Sequence, residues 1–579
     1  MQRNLDPISF ELIKNSVEAI ADEMTLVVLR TAHSGNIRDG MDFSAAICTA
    51  DGEMVAQGLC IALHLGSIPD AIATVIGKFG ANVRPDDVFI LNDPYCGGMH
   101  LPDIFVFKPV FAEGALLGYL VIVADHADIG GRVPGGRSVD ATEIYQEGLR
   151  IPPLRLMDAG NPVDAVWEMI AQNVRIPKTV IADLQSCLAA CHAGEERLKE
   201  TVQRFGRERV RDFFHDTLSY SEDVARSTIR EIPDGRYDFV DHLDDSVTAE
   251  EPVVIKVSIT VAGDRLLADF AGSSPEVPAS INSTLSFTKS AVYAAIRTLM
   301  PQDTPNNSGL FRPITVTAPR GSVVCAEEPA PVASRGVTGF RVVDAVFGAL
   351  AKAIPSRVGA ASEGGASSLR IGGRDDSDRP FVLFDSMQGT WGARPDADGL
   401  DGCSNFAANA ANVPVEVIEG QFPIRIHEYG LRADTGGSGR WRGGLGLRRE
   451  WELMCSEAVL TMRADRTKFA PWGLEGGQPG ALAKNILHTP SETRVLPSKL
   501  HYRLHKGDRF VHEQAAGGGY GDPLERDPDA VLVDWLDEKV TTRHAFDAYA
   551  VVIDERARSV DMEATRTLRL SVRGLVRDD

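Results

Sequence analysis

Apolar residues recur at helical spacing near the start of the chain. Ile8, Leu12, Ile20, Met24 and Val27 follow Asp6-Pro7, a pair suited to capping and opening a helix. The pattern then breaks into short runs. Phe43–Thr49 and Glu53–Gln57 flank Asp51-Gly52, a hairpin turn signal. Val88–Leu91 is a brief apolar run that stops at Asn92-Asp93-Pro94. Two strand-like runs, Ile104–Phe111 and Leu116–Ala124, are separated by Ala112-Glu113-Gly114. From Val163 to about Arg209 the period becomes helical, and Glu195, Glu196, Arg197, Lys199 and Glu200 mark a solvated face.

The stretch from Asp234 to Asp522 reads differently. Short strands such as Val253–Val261 and Ile314–Thr317 alternate with glycine-rich turns, and Val342–Ala353 is an inserted helix. Helical patches return near Asp527–Glu538 and Thr542–Val551. These patterns predict an α+β fold in three parts. An N-terminal mixed metal-binding domain (1–205) packs on a β-rich domain with inserted helices (206–524), and a helical tail (525–579) follows. No internal repeat or low-complexity linker separates them, so close contact between the domains is expected.

Composition narrows the function classes. A chain of 579 residues with Gly 54 and Pro 32 is rich in turns, which disfavours a helical bundle. The formal charge of −21 argues against nucleic acid and against an anionic membrane surface, because both need clustered Lys and Arg. Eight cysteines are scattered without a CxxC pair, as in reduced, intracellular proteins. Cys187 and Cys191 lie four apart on a helical pattern and are read as core. No apolar run approaches ~18 residues, so the expected location is cytoplasmic.

The chemistry concentrates in LNDPYCGGMHLPDIF, followed by VIVADHADIGG. His100 and Asp103 precede one strand, and His126 follows the next. If the two strands form one antiparallel hairpin turning at Ala112–Gly114, His126 faces about Leu101, beside both His100 and Asp103. Two imidazoles and a carboxylate with open positions suit a first-row divalent metal. Such an ion lowers the pKa of bound water or polarises a carbonyl. Asp42, at the start of another strand, is a candidate fourth ligand or general base. Asp125 and Asp128 flank His126 and would hold its tautomer. The competing explanation is a loop histidine bonded to a turn carbonyl. His33 and His64 are read as structural or pocket residues, and Glu147 as a weaker candidate for acid–base work.

Other signatures are missing. There is no phosphate-binding G-x-x-x-x-G-K-[ST], no G-x-G-x-x-G in strand–turn–helix context, no G-x-S-x-G and no H-E-x-x-H. The glycine-rich stretches Gly130–Gly136 and Gly436–Gly446 are expected to be loops that need positive φ.

At these residues the chain resembles the hydantoinase B/oxoprolinase family. MDFSAAICTADGEMVAQ, LNDPYCGGMHLPDIFVFKPVF, HADIGG and ATEIYQEGLRIPP look like its N-terminal motifs. PAPVASRGVTGFRVVDAVFGALA, PWGLEGGQPG and AAGGGYGDPLERDP look like its later ones, and the likeness runs through nearly the whole chain in order. SNFAANAANVPVE departs from the pattern.

The resemblance implies a hydantoinase A-like ATPase partner subunit, where ATP and Mg serve to phosphorylate the substrate oxygen. It implies that this chain completes the reaction at one divalent transition metal (Zn, Mn or Fe). The family's ligands match His100, Asp103 and His126, with Asp42 as a further functional position. The substrate class implied is a small cyclic amide (hydantoin, 5-oxoproline or a lactam), and the assembly a heterotetramer or larger. Two other roles stay open at this stage: a subunit of an ATP-dependent ketone carboxylase, or a non-catalytic scaffold for the ATPase subunit.

Overall fold

The computed structural model describes residues 5–58, 61–64, 66–364 and 367–575. Its first long helix, Pro7–Thr31, begins where Asp6 accepts a hydrogen bond from the Ser9 amide at 3.0 Å. The helix buries Phe10, Ile13, Val17, Ile20, Met24 and Val28. Ile8 and Leu12, which start the predicted stripe, are 73% and 44% exposed. The stripe beginning at Phe10 continues longer without interruption, and burial follows it.

The first sheet is antiparallel. Its strands are β1 (Phe43–Thr49), β2 (Met54–Gln57), β3 (Val88–Leu91), β4 (Asp103–Ala112), β5 (Ala115–Asp125), β6 (Leu154–Asp158) and β7 (Asn161–Pro162). They lie in the order β2-β1-β5-β4-β3-β6-β7. Strand alternation gives the sheet two apolar faces. Ile104, Val106, Leu120 and Ile122 share a core with the helices Pro7–Thr31 and Pro177–Phe205. Phe105, Phe107, Val121 and Val123 join a second core that continues into the middle of the chain. Cys187 and Cys191 are buried in the first of these cores, as their spacing predicts.

The helical run after Val163 is divided. Helices Asp164–Asn173 and Pro177–Phe205 are separated just before Pro177, whose ring disfavours helical backbone at the preceding residue. A further helix, Arg207–Arg230, begins after Gly206 and carries the helical region well past Arg209.

The middle sheet contains Gly235–Leu243, Val253–Ala262, Arg265–Asp269 and Ile314–Thr317. The helix Gly336–Leu350 packs on it, and every residue of that helix is buried. Farther on, two sheets enclose a common core that includes Leu369, Leu383, Trp451, Leu460 and Phe510. This is a sandwich, built from alternating inward and outward residues. The architecture is therefore α+β, as the patterns predict.

One glycine expectation needs correction. Gly130, Gly131, Gly135 and Gly136 do adopt positive φ, but none of the glycines in Gly436–Gly446 does. That stretch needs glycine for close approach instead: a Cβ on Gly443 would sit 2.0 Å from the Gly517 carbonyl oxygen. The tail holds helices Pro528–Leu536 and Thr542–Tyr549, and a third, Met562–Leu575, that the apolar pattern does not reveal. Among the described residues no helix is long and apolar enough to cross a membrane.

Candidate functional site

Strands β4 and β5 form the expected hairpin. Near the turn Ala112 pairs with Ala115 and Phe111 with Leu116, but a bulge between Val110 and Phe111 moves the register by one residue. Asp103 therefore faces Asp125, and the His126 amide donates to the Pro102 carbonyl at 2.9 Å. On the other side of β5, Phe43 of β1 pairs with Ala124, and the Asp125 amide donates to the Asp42 carbonyl at 3.0 Å. Asp42, Asp125 and Asp103 thus stand in one row across the ends of three adjacent strands.

His100 completes the cluster. Its Nδ1 lies 3.0 Å from the Ala333 carbonyl oxygen, which only accepts, so the ring proton sits on Nδ1. Nε2 then carries a lone pair, 3.3 Å from Asp103 Oδ1 and 3.5 Å from Asp125 Oδ2. Burial holds His100 well below its usual pKa, so the ring stays neutral. Three acceptors converge here, and the donor that reaches between them is Arg137, whose Nη2 lies 3.4 Å from His100 Nε2 and pairs with Asp125. His100, Asp103 and Asp125 each offer a ligand atom within 4.8 Å of the others. Oxygens Asp103 Oδ1 and Asp125 Oδ1 are buried without a hydrogen-bond partner.

The other sequence candidates surround this cluster. His126 is buried, neither of its ring nitrogens is hydrogen-bonded, and it feels the charges of Asp183 and Asp103. It adjoins the cluster of three without being a member of it. Asp42 lines a cavity of about 70 Å³ with His64, Arg137, Arg335, Gln388 and Arg463. Burial raises its pKa, and neighbouring Asp103 adds to the rise. Phe287, Phe340 and Phe384 form the apolar wall of the same cavity. His64 is held by Ser44 Oγ at 2.9 Å. His33 is exposed and lines a different cavity.

Glu147 does not line the cavity. It accepts the amides of Val332 (3.1 Å) and Ala333 (2.9 Å), and burial pushes its pKa up to about 8. It therefore fixes the segment whose Ala333 carbonyl orients His100, a positioning role. Asp128 bonds to Arg175 and to the Gly135 amide, and does not orient His126. A larger cavity of about 460 Å³, beside Phe347, Trp391 and Phe406, contains none of the His100–Asp103–Asp125 cluster.

Four arginines close over the carboxylates; Arg335 lies within the motif PAPVASRGVTGF, but none of the four is assigned a role from the sequence. Arg137 pairs with Asp125, and Arg335 pairs with Asp103. Arg370 lies 3.6 Å from Asp125. Burial lowers all four, with Arg370 and Arg463 each pushed down to about 9, and the neighbouring guanidiniums depress Arg137 and Arg463 further. Burial alone would raise the Asp103 carboxyl, but the paired Arg335 guanidinium helps hold it well below the usual carboxylate range.

A family model for hydantoinase B/oxoprolinase matches residues 6–523. Caprolactamase subunit beta of Pseudomonas jessenii is 33% identical, over 98% of this chain and 99% of its own length. The crystal structure of ATP-dependent caprolactamase from the same organism superposes with a TM-score of 0.91 at 30% identity, covering 98% of this chain and 100% of that one. 5-Oxoprolinase 1 of Arabidopsis thaliana is 30% identical over 89% of this chain, and the match spans 42% of that protein. A nucleotide-free acetone carboxylase structure shares the fold, with a TM-score of 0.92 at 20% identity over 99% of this chain and 84% of that one.

Proposed function

This chain belongs to the hydantoinase B/oxoprolinase family, and we propose that it is the metal-bearing subunit of a cytoplasmic ATP-dependent cyclic amide hydrolase. The substrate is a hydantoin, 5-oxoproline or a lactam, and a hydantoinase A-like subunit supplies the ATP-dependent step within a heterotetramer or larger assembly. The observation that carries the metal part is the convergence of ligand atoms of His100, Asp103 and Asp125 within 4.8 Å of one another, with Asp103 Oδ1 and Asp125 Oδ1 buried without a hydrogen-bond partner. The names of two relatives, a caprolactamase subunit and a 5-oxoprolinase, support the substrate class.

The donor set fits a divalent first-row ion such as Zn, Mn or Fe, held by His100, Asp103 and Asp125 with His126 and Asp42 adjoining. When bound there, it would polarise the substrate and make water more acidic. The chain's own residues do the rest. Ala333 and Glu147 fix the His100 tautomer, and Arg335 holds Asp103. Phe287, Phe340 and Phe384 keep bulk water from the ring.

Amide resonance makes a cyclic amide inert, and phosphorylation of its oxygen on the partner removes that protection. Water then adds to the activated carbon and gives its proton to Asp42. That proton and the proton of the newly added hydroxyl pass to the ring nitrogen as the C–N bond breaks, leaving an acyl phosphate and a free –NH2 group. A second water cleaves the acyl phosphate to carboxylate and inorganic phosphate.

The test is ATP turnover by the co-purified subunits with hydantoin, 5-oxoproline, caprolactam or acetone, each with and without bicarbonate. Stimulation by a cyclic amide without bicarbonate is expected. Turnover that requires a ketone and bicarbonate would replace this reading with a carboxylase.

A further inference from the structure

The four arginines are more than the carboxylate row requires. They come from a loop (Arg137), a helix cap (Arg335) and two sandwich strands (Arg370, Arg463), and all are buried. The guanidinium carbons of Arg137 and Arg370 lie 4.9 Å and 4.4 Å from the centre of one ring, Phe384. Arg335 lies 4.3 Å over Phe287. Nε of Arg137, Arg335 and Arg370 has no hydrogen-bond partner. Acceptor oxygens entering beside them would satisfy these donors.

Charge says what would complete the group. Asp42, Asp103 and Asp125 face the arginines, and Glu363 acts on Arg463. Asp128 is already paired with Arg175 at 3.2 Å. Glu147 acts on Arg335 as well. A phosphoryl group carries about −1.5 to −2 near neutral pH and three acceptor oxygens, so it can take bonds from several guanidiniums at once, whereas a carboxylate carries one negative charge and two oxygens.

The backbone adds to the same field. Arg335, Gly336 and Phe340 line the cavity at the start of the 15-residue helix Gly336–Leu350, whose N-terminal end is the positive end of its dipole. The cavity, about 70 Å³, suits a small anionic group.

We propose that Arg137, Arg335 and Arg463, together with the start of the helix at Gly336, form a phosphoryl subsite that holds the phosphate of the activated substrate beside the carboxylate row. The origin of that phosphate rests on the ATP-dependent reading above; the binding of a dianion does not. Guanidiniums on the phosphoryl oxygens would draw charge from the ester oxygen and hold the carbon beside Asp42.

The experiment uses the metal-loaded chain without its partner. Inorganic phosphate and acetate are titrated separately by calorimetry, while metal content and melting temperature are followed for each variant. Saturable phosphate binding is expected, at least about tenfold tighter than acetate, and weakened about tenfold to a hundredfold by Arg463→Gln. Arg463→Lys keeps the charge but not the fork, and falls between the two; it serves as the second variant if Arg463→Gln does not fold. Acetate bound as tightly as phosphate, no saturable phosphate binding, or Arg463→Gln binding like the parent would each overturn the subsite. Phosphate binding in a chain whose assembly shows no cyclic-amide-stimulated turnover would leave the subsite standing and remove the hydrolase reading. Cyclic-amide turnover without phosphate binding would do the reverse.

Discussion

Two clusters of buried charge share the same structural elements and have opposite characters. Arg335 caps the helix Gly336–Leu350 and faces the candidate site, while Arg341 on that helix joins a second cluster. Arg463 ends a sandwich strand at the site, and Asp465, two residues on, belongs to the second cluster. There, Asp465 accepts from Arg341 at 2.9 Å, from Lys499 at 3.0 Å and from the Asp244 amide at 3.0 Å. Arg466 pairs with Asp344 at 2.7 Å. Arg341, Lys499, Asp241 and Asp465 all hold their charge more firmly than usual, because partners outweigh burial. At the site the arginines and His100 hold theirs less firmly, and acceptors face one another. A network of opposite charges in pairs ties the middle sheet, helix and sandwich together. A cluster in which carboxylate and imidazole acceptors face one another, built from the same elements, is a place prepared for something to bind.

The largest expected difference between the two appears on removing a central residue from each. His100→Ala should strip the metal and reduce turnover to background, with little change in melting temperature; elemental analysis and a coupled ATPase assay read both. Asp465→Asn should leave the metal in place but destabilise the fold by about 3–5 kcal/mol in urea titrations, because Arg341 and Lys499 lose a buried partner.

Acid should act on the second cluster in the same sense. Burial would raise Asp465, but Lys499 and Arg341 outweigh it and push the carboxyl down to about 2 from an ordinary 3.8. A folded-state value below the unfolded one adds stability above the unfolded value, here about 2 kcal/mol, and that contribution disappears as pH falls from 3.8 toward 2. Asp465→Asn should flatten this part of the stability–pH curve.

Smaller effects sharpen the contrast. Glu147→Gln loses one acceptor for the Val332 and Ala333 amides, so the metal should bind about 10- to 100-fold more weakly in competition with a chelator. Asp42→Asn removes a carboxylate that burial disfavours; the metal-free chain should gain about 1 kcal/mol in stability while the assembly loses turnover. Equal loss of both would place Asp42 with the cluster of paired charges.

The hairpin that builds the site was legible in the chain, since two apolar runs around Ala112–Gly114 define it. Its register was not. An unbulged hairpin places His126 opposite Leu101, and the bulge at Val110/Phe111 brings Asp125 opposite Asp103 instead. Asp125, read from the sequence as a support for His126, thereby enters the cluster. Nothing in local spacing reports a bulge that pairing alone creates. The arginines were hidden for a different reason: positions 137, 335, 370 and 463 meet only after three regions pack. Glycine-rich stretches were recognised throughout, but whether glycine serves a positive φ, as at Gly136, or close backbone approach, as at Gly443, depends on a neighbour distant in sequence.

The most direct test of the metal centre is an anomalous-scattering map from crystals of the manganese- or zinc-loaded protein, collected at the absorption edge of that metal. The account predicts one strong peak among His100 Nε2, Asp103 and Asp125, with His126 or Asp42 reaching it. A peak elsewhere, or none in that place with Arg137 closing over Asp125, would contradict it.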